Sequence, residues 1–223
     1  MTLGSSCPPQ PSWLIFLTTI LLALSGCGGN DTFVIIEPGL VGIDDLSTTT
    51  TPPELTITYT IPGVPGSTTA TISSDQLSDG DIAFDPFLNT YTITPASDSL
   101  LFGIDSTDSN TPEFRAFLSF PLDGLTGGPL IPLNANIVAA DLTIFINFVD
   151  FANRVPVLLD LVEYSVASGL AVSDYDSPPL ATQLFNIFGT DEGFDVVIDV
   201  TSLMSTAQTR GLIDFQTRLQ VSL

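Results

Sequence analysis

The chain has 223 residues and carries 25 acidic side chains against four arginines, with no lysine, no histidine and a net charge of −21. So acidic a chain repels phosphate and has few cations with which to release counterions, which excludes nucleic-acid binding. A hydrophobic fraction of 44% and a mean hydropathy of +0.42 exclude a disordered acidic tail, and the lack of histidine excludes Ser-His-Asp and Cys-His catalysis.

The first element, Met1 to Gly26, contains no charged residue. Its apolar core, Trp13 to Leu24, has the length of a signal-peptide hydrophobic region and is shorter than the ~20 residues of a membrane-spanning helix. The run closes with Leu24-Ser25-Gly26-Cys27, an aliphatic residue and two small ones before a cysteine. On these residues the N-terminus resembles a bacterial lipoprotein precursor. The resemblance implies cleavage before Cys27, a diacylglyceryl group on its thiol, and acylation of the new amine. It also implies a location in a bacterial cell envelope, on the outer membrane or cell surface, with the membrane as a partner through the lipid. Two or three acyl chains anchor stably where one does not. The alternative is an ordinary thiol in a flexible segment. Cys7 departs with the leader, so the mature chain has no second cysteine for a disulfide or a cysteine metal site.

Residues 27–53 combine a glycine-bearing acidic stretch with Ser47-Thr48-Thr49-Thr50-Thr51-Pro52-Pro53, a composition that predicts a solvated tether. Phe33 to Ile36 interrupts it and is read either as part of the tether or as an added edge strand. From residue 54 to 223 the pattern is that of strands. Leu55, Ile57, Tyr59 and Ile61 alternate with Thr56, Thr58 and Thr60, a half-buried strand. Further strands are predicted over Thr69–Ile72, Tyr91–Thr94, Leu100–Ile104, Phe114–Phe120, Ile137–Phe148, Val155–Ser165, Leu184–Phe188, Phe194–Val200 and Phe215–Leu223, separated by Pro-Gly, Asp-Gly, Gly-Gly and Pro-Pro turns. The expected fold is all-β, a jelly-roll-like antiparallel β-sandwich after a signal peptide and flexible tether. Thr201 to Thr209 alone predicts a helix, with Asp199 or Thr201 to cap it and Gly211 to end it, as a connector between strands.

Three stretches also carry a second resemblance. They are Phe114-Arg115-Ala116-Phe117-Leu118-Ser119-Phe120-Pro121-Leu122 with Ile131-Pro132, then Ala139-Ala140-Asp141-Leu142-Thr143-Ile144-Phe145-Ile146, and Ile198-Asp199-Val200-Thr201-Ser202-Leu203. Together they resemble the DNRLRE-type domain, a jelly-roll sandwich of secreted prokaryotic proteins, over about residues 91–223. Its members usually run one strand further, so the resemblance implies a chain truncated at its C-terminus. Residues 55–82 then supply extra strands of the same sandwich or a small subdomain. Some members of the family bind acidic polysaccharide. That implies a rival role as a surface carbohydrate-binding module, with a glycan or an envelope protein as partner.

A glycan site needs aromatic platforms, and a polyanion needs cations besides. The one tryptophan, Trp13, lies in the leader, and Tyr59, Tyr91, Tyr164 and Tyr175 fall mostly in strand patterns that imply burial. An exposed flat patch at Tyr91, Tyr164 or Tyr175 would favour the glycan role, which calcium would assist. Carboxylates cluster at Asp79-Gly80-Asp81 with Asp85, at Asp105-Ser106-Thr107-Asp108 and at Asp174-Tyr175-Asp176. Asp81, Asp105 and Asp108 are the candidate ligands of a structural calcium, a cation that takes oxygen donors of this kind. The competing reading is solvated turn residues, since Asp caps turns. Arg115 and Arg154, in or beside apolar strands, predict ion pairs on the sandwich face or at the core edge, with a ligand role as the alternative. No catalytic residues are expected. The sequence reads as a lipid-anchored, noncatalytic envelope protein with a structural or adhesion-type contact.

Overall fold

The computed structural model describes residues 38–45, 52–124 and 128–222. The predicted leader, Cys27 and the Phe33–Ile36 run lie outside them. The described chain is all-β, and every strand pairing in it is antiparallel. The strands are β1 (Leu40–Asp44), β2 (Glu54–Thr60), β3 (Thr68–Ser73), β4 (Gly80–Asp85), β5 (Thr90–Pro95), β6 (Ser99–Ile104), β7 (Glu113–Pro121), β8 (Asn136–Asp150), β9 (Arg154–Val162), β10 (Ala181–Phe188), β11 (Asp195–Asp199) and β12 (Asp214–Val221), with one helix, α1 (Thr201–Arg210).

They form a sheet in the order β10-β9-β12-β7-β6-β1-β8-β2-β3, with β11 added to β8 and the β4–β5 hairpin added to β7. The sheet curls into a half-barrel, consistent with the expected sandwich. Its hinge is β8, 15 residues long. The N-terminal part of β8 pairs with β2 and β11, and its C-terminal part pairs with β1. The predicted alternation in β2 is realised, with Leu55, Ile57 and Tyr59 buried in the core and the threonines between them half-buried.

The strand β7 has buried residues on both faces. Ala116, Leu118 and Phe120 belong to the main core, whereas Phe117 joins Ile82, Val162, Tyr164 and Tyr175 in a second cluster. A strand covered on both sides reads as a continuous apolar run rather than an alternating one, which is the character of Ala116-Phe117-Leu118.

Three expectations are corrected. The tether does not run unbroken to Pro53, because Leu40–Asp44 is a fully buried strand inside the sheet, between β6 and β8. Leu40 lies opposite Gly103, whose φ of +114° suits glycine, and a Cβ on Gly103 would overlap the Gly39 carbonyl oxygen. The stretch beginning at Gly80, read as part of a carboxylate loop, is β4. The helix α1 is more than a connector, because Leu203, Met204 and Ala207 are buried in the main core. Its ends match expectation: Asp199 Oδ1 accepts from the Thr201 amide at 2.9 Å, and Gly211 closes the helix in the left-handed conformation.

Candidate functional site

The candidate calcium ligands fall in two places. Asp81 is buried on β4, where its Oδ2 accepts from the Leu101 amide at 3.2 Å, and burial pushes its carboxyl up to about 6. Asp105 and Asp108 share the turn between β6 and β7. There Asp105 Oδ1 accepts from the Thr107 hydroxyl (2.7 Å), the Thr107 amide (2.9 Å) and the Asp108 amide (3.3 Å), and Asp108 Oδ1 accepts from the Asn110 amide (2.9 Å). The Thr107 hydroxyl, together with these amides, holds the Asp105 carboxyl below its ordinary value. Asp85 caps the β4–β5 turn in the same way, accepting from the Phe87 and Leu88 amides. Asn110 Nδ2 donates to Asp85 Oδ2 at 2.8 Å, so the two turns do meet. Among the described residues no group of three or more His, Cys, Asp or Glu side chains is placed to hold a metal ion. Asp81 therefore does not share a ligand set with Asp105 and Asp108.

A different acidic pair, Asp45 and Asp79, is almost fully buried. Asp79 Oδ1 accepts from the Ser119 amide at 2.6 Å and Asp45 Oδ1 from the Ser74 hydroxyl at 3.3 Å. The Ser119 bond lies just before β4 begins at Gly80 and extends its contact with β7. Burial raises the Asp45 carboxyl to about 6; burial and the neighbouring Asp45 charge raise the Asp79 carboxyl well above its ordinary value. Asp79 stood in a cluster noted in the sequence, but Asp45 sat in the stretch taken for a tether. Nothing local links positions 45 and 79.

The second cluster lies on the outer face of the sheet, under the β9–β10 connection, residues 163–180. Two arginines pin that segment. Arg218 on β12 reaches Asp160 on β9 at 2.6 Å, and its Nη1 donates to the carbonyls of Asp174 (3.2 Å), Tyr175 (2.7 Å) and Ser177 (3.0 Å). Arg115 on β7 bonds Glu113 and Asp176, both at 2.9 Å, and stacks on the Tyr175 ring with 3.8 Å to the centroid. The expected ion pair at Arg115 is present, while Arg154 donates to the Asn186 side chain instead, at 2.8 Å. The tyrosines tile this cluster. Tyr175 meets Tyr91 edge-on at 5.2 Å and lies 6.0 Å from Phe84, and Tyr164 meets Phe117 edge-on at 5.7 Å. Tyr164 and Tyr175 are buried and Tyr91 is half-buried, so the three form no exposed platform.

An open groove lies elsewhere, with a cavity of about 470 Å³ between residues 122–123, 130–134 and 208–213. The Leu122 amide donates to the Ile213 carbonyl and the Ile131 amide to the Leu122 carbonyl, each at 2.8 Å. Gln208 Nε2 donates to the Pro132 carbonyl at 2.7 Å. These bonds stitch α1, β12 and the β7–β8 connection together, so the groove is preformed. Leu122, Leu130, Ile131, Leu133, Leu212 and Ile213 line it together with Asp123. Leu130, Leu133 and Ile213 are 60%, 69% and 60% exposed. Beyond Leu212 and Ile213 a second, more polar cavity of about 430 Å³ is lined by Glu163, Arg210 and Asp214. The sequence offered no signal for either cavity, because each is assembled from segments far apart along the chain.

No helix among the described residues is long and apolar enough to cross a membrane. No protein-family model, curated protein or solved structure matches the chain. The DNRLRE resemblance rests on the quoted motif residues alone.

Proposed function

We propose that the chain is a lipid-anchored, noncatalytic protein of a bacterial cell envelope, whose β domain serves a structural or adhesion-type contact. The anchor is carried by Leu24-Ser25-Gly26-Cys27 at the end of an uncharged apolar leader. The observation that supports a noncatalytic role for the domain is the placement of its reactive groups. The Asp45–Asp79 pair is enclosed, Arg115 and Arg218 are committed to holding residues 163–180, and Tyr164 and Tyr175 lie beneath that segment. Among the described residues the accessible surface carries capped carboxylate turns, threonine faces, an apolar groove and further exposed apolar side chains such as Phe87, Leu184 and Phe194.

The rival glycan-binding role draws less support, since Tyr164 and Tyr175 are buried and two of the four arginines, Arg115 and Arg218, are engaged within the fold. Membrane fractionation of cells expressing the full chain and its Cys27→Ala variant tests the anchor. A glycan array probed with and without calcium tests the rival. Reproducible glycan binding would replace the structural reading.

A further inference from the structure

We propose that the domain stands on the lipid surface that holds its anchor, on the end from which the N-terminal chain leaves it, with Phe87 and Leu88 dipped into the interface and Phe188 and Phe194 against it. The inference rests on the lipid-anchor reading of Cys27 and adds to it the face that meets the bilayer.

Hydrogen bonds and strand register define that end. The Gly39 carbonyl accepts from the Ile104 amide at 3.0 Å, and Leu40 lies opposite Gly103 on one side and Asp150 on the other. The start of β9 is there too, since a Cβ on Gly39 would overlap Val155 and crowd Ala152. Arg154 lies opposite Phe188, and the Gly189 amide donates to the Asn153 carbonyl at 3.0 Å. The Phe194 carbonyl accepts from the Ile146 amide near the end of β8. The β6–β7 turn follows Ile104, and through Asn110 it holds Asp85 of the β4–β5 turn.

Exposed aromatic side chains collect at this end. Phe87, Leu88, Phe188 and Phe194 are 77%, 60%, 44% and 66% exposed. Single exposed apolar side chains are ordinary, but several around one end of a domain mark a contact. Their amides are satisfied from inside the fold. Asp85 Oδ1 accepts from the Phe87 and Leu88 amides at 2.8 and 2.9 Å. Asp191 Oδ2 accepts from the Phe188 amide at 2.8 Å, and the Asp191 carbonyl from the Phe194 amide at 3.0 Å. A turn whose amides need no water enters a lipid interface without leaving donors unpaired. Arg154 is exposed beside Phe188 and can reach a headgroup phosphate.

Tether length selects the bilayer as the occupant. From Cys27 to Gly39 the chain reaches at most about 40 Å when fully extended. The strand β8, 15 residues long, runs roughly 45 to 50 Å from this end toward the other. Standing on the opposite end would stretch the tether along the whole domain, against its conformational entropy. Standing on the Gly39 end leaves it slack. A net charge of −21 opposes an anionic headgroup layer, so the surface that fits is zwitterionic lipid.

The test uses the full chain carrying one new tryptophan, purified from membranes and reconstituted in phosphatidylcholine vesicles with plain or brominated acyl chains. The sequence's one tryptophan, Trp13, precedes Cys27, so a chain cut before Cys27 holds only the introduced one. Bromine should quench Phe87→Trp, Leu88→Trp and Phe194→Trp at least about twofold more than Leu133→Trp, an exposed site at the opposite end of the domain. Replacing part of the lipid with phosphatidylglycerol should weaken the quenching at low salt, and added salt should restore it. Equal quenching at residue 133, no quenching at residues 87, 88 and 194, or quenching that grows with phosphatidylglycerol at low salt would each overturn the proposal. Intact mass of the same preparations separates the two readings. A lipidated chain with residues 87 and 88 unquenched sinks the orientation alone, whereas a chain without lipid on Cys27 sinks the anchor and the orientation with it.

Discussion

Arg218 Nη2 lies 2.6 Å from Asp160 Oδ2, with only 3% and 2% of the two side chains exposed, so the charge of each is balanced inside the protein by the other. The arginine also carries three carbonyls of the β9–β10 connection. Removing one partner strands a buried charge, at a cost of about 3 to 5 kcal/mol. Arg218→Met should lower stability by that amount in urea denaturation and expose the 163–180 segment to protease. Arg218→Met/Asp160→Leu should recover part of the loss, because no lone charge remains. A loss below about 1 kcal/mol in the single variant would remove this pair from its pinning role.

Burial raises Asp45 and Asp81 to about 6 and also raises Asp79, against about 3.9 for an unfolded aspartate. Between these values the folded state holds more protons than the unfolded one, so stability rises as pH falls. The contribution is complete below about pH 4 and is lost as pH climbs through 6. The capping residues Asp85, Asp105 and Asp199, whose carboxyls are lowered, act in the opposite sense and lose their contribution only at more acidic pH. Melting should therefore show a gain of about 1 to 3 kcal/mol from pH 8 to pH 5, and Asp81→Asn should flatten part of that slope. A melting temperature that falls steadily from pH 8 to pH 5 would refute the raised carboxyls of Asp45, Asp79 and Asp81.

Much of the sandwich was legible in the sequence because a strand covered on one face must alternate. Leu55 to Ile61 and the long run that became β8 were read this way. Leu40–Asp44 was not, for it is five residues long and buried on both faces, so it has no alternation, and its acidic end merges with a tether-like composition. Gly80–Asp85 hid for a related reason, its aspartates reading as turn residues although Asp81 is buried in a strand. The long-range links escaped altogether. Asp160 and Arg218, Asp45 and Asp79, or Leu133 and Ile213 are joined by sheet topology, which local periodicity does not encode.

Two glycines with positive φ should respond very differently to alanine. At Gly103, φ +114°, the new methyl would overlap the backbone of Gly39 across the β1–β6 pair. At Gly63, φ +83°, it would meet nothing within 4 Å. Gly103→Ala should cost at least about 3 kcal/mol by combining dihedral strain with overpacking, and Gly63→Ala about 1 to 2 kcal/mol from the dihedral alone. Comparable denaturation midpoints for the two variants would contradict the strand pairing around Gly103.

Calcium at millimolar concentration should raise the melting temperature only as far as sodium chloride does at matched ionic strength. Asp105 and Asp108 already spend oxygens on turn amides, and Asp81 is not grouped with them. A calcium-selective gain that Asp105→Asn removes would instead place an ion in the β6–β7 turn.

The most direct measurement is intact-mass spectrometry of the native protein from the membrane fraction, paired with its Cys27→Ala variant. The lipoprotein account predicts a mature chain beginning at Cys27 and carrying a diacylglyceryl group, found in the membrane fraction, while the variant keeps its leader or appears in the soluble fraction. A native chain that begins elsewhere and carries no lipid, or a Cys27→Ala protein recovered in membranes with an otherwise unchanged mature mass, would contradict it.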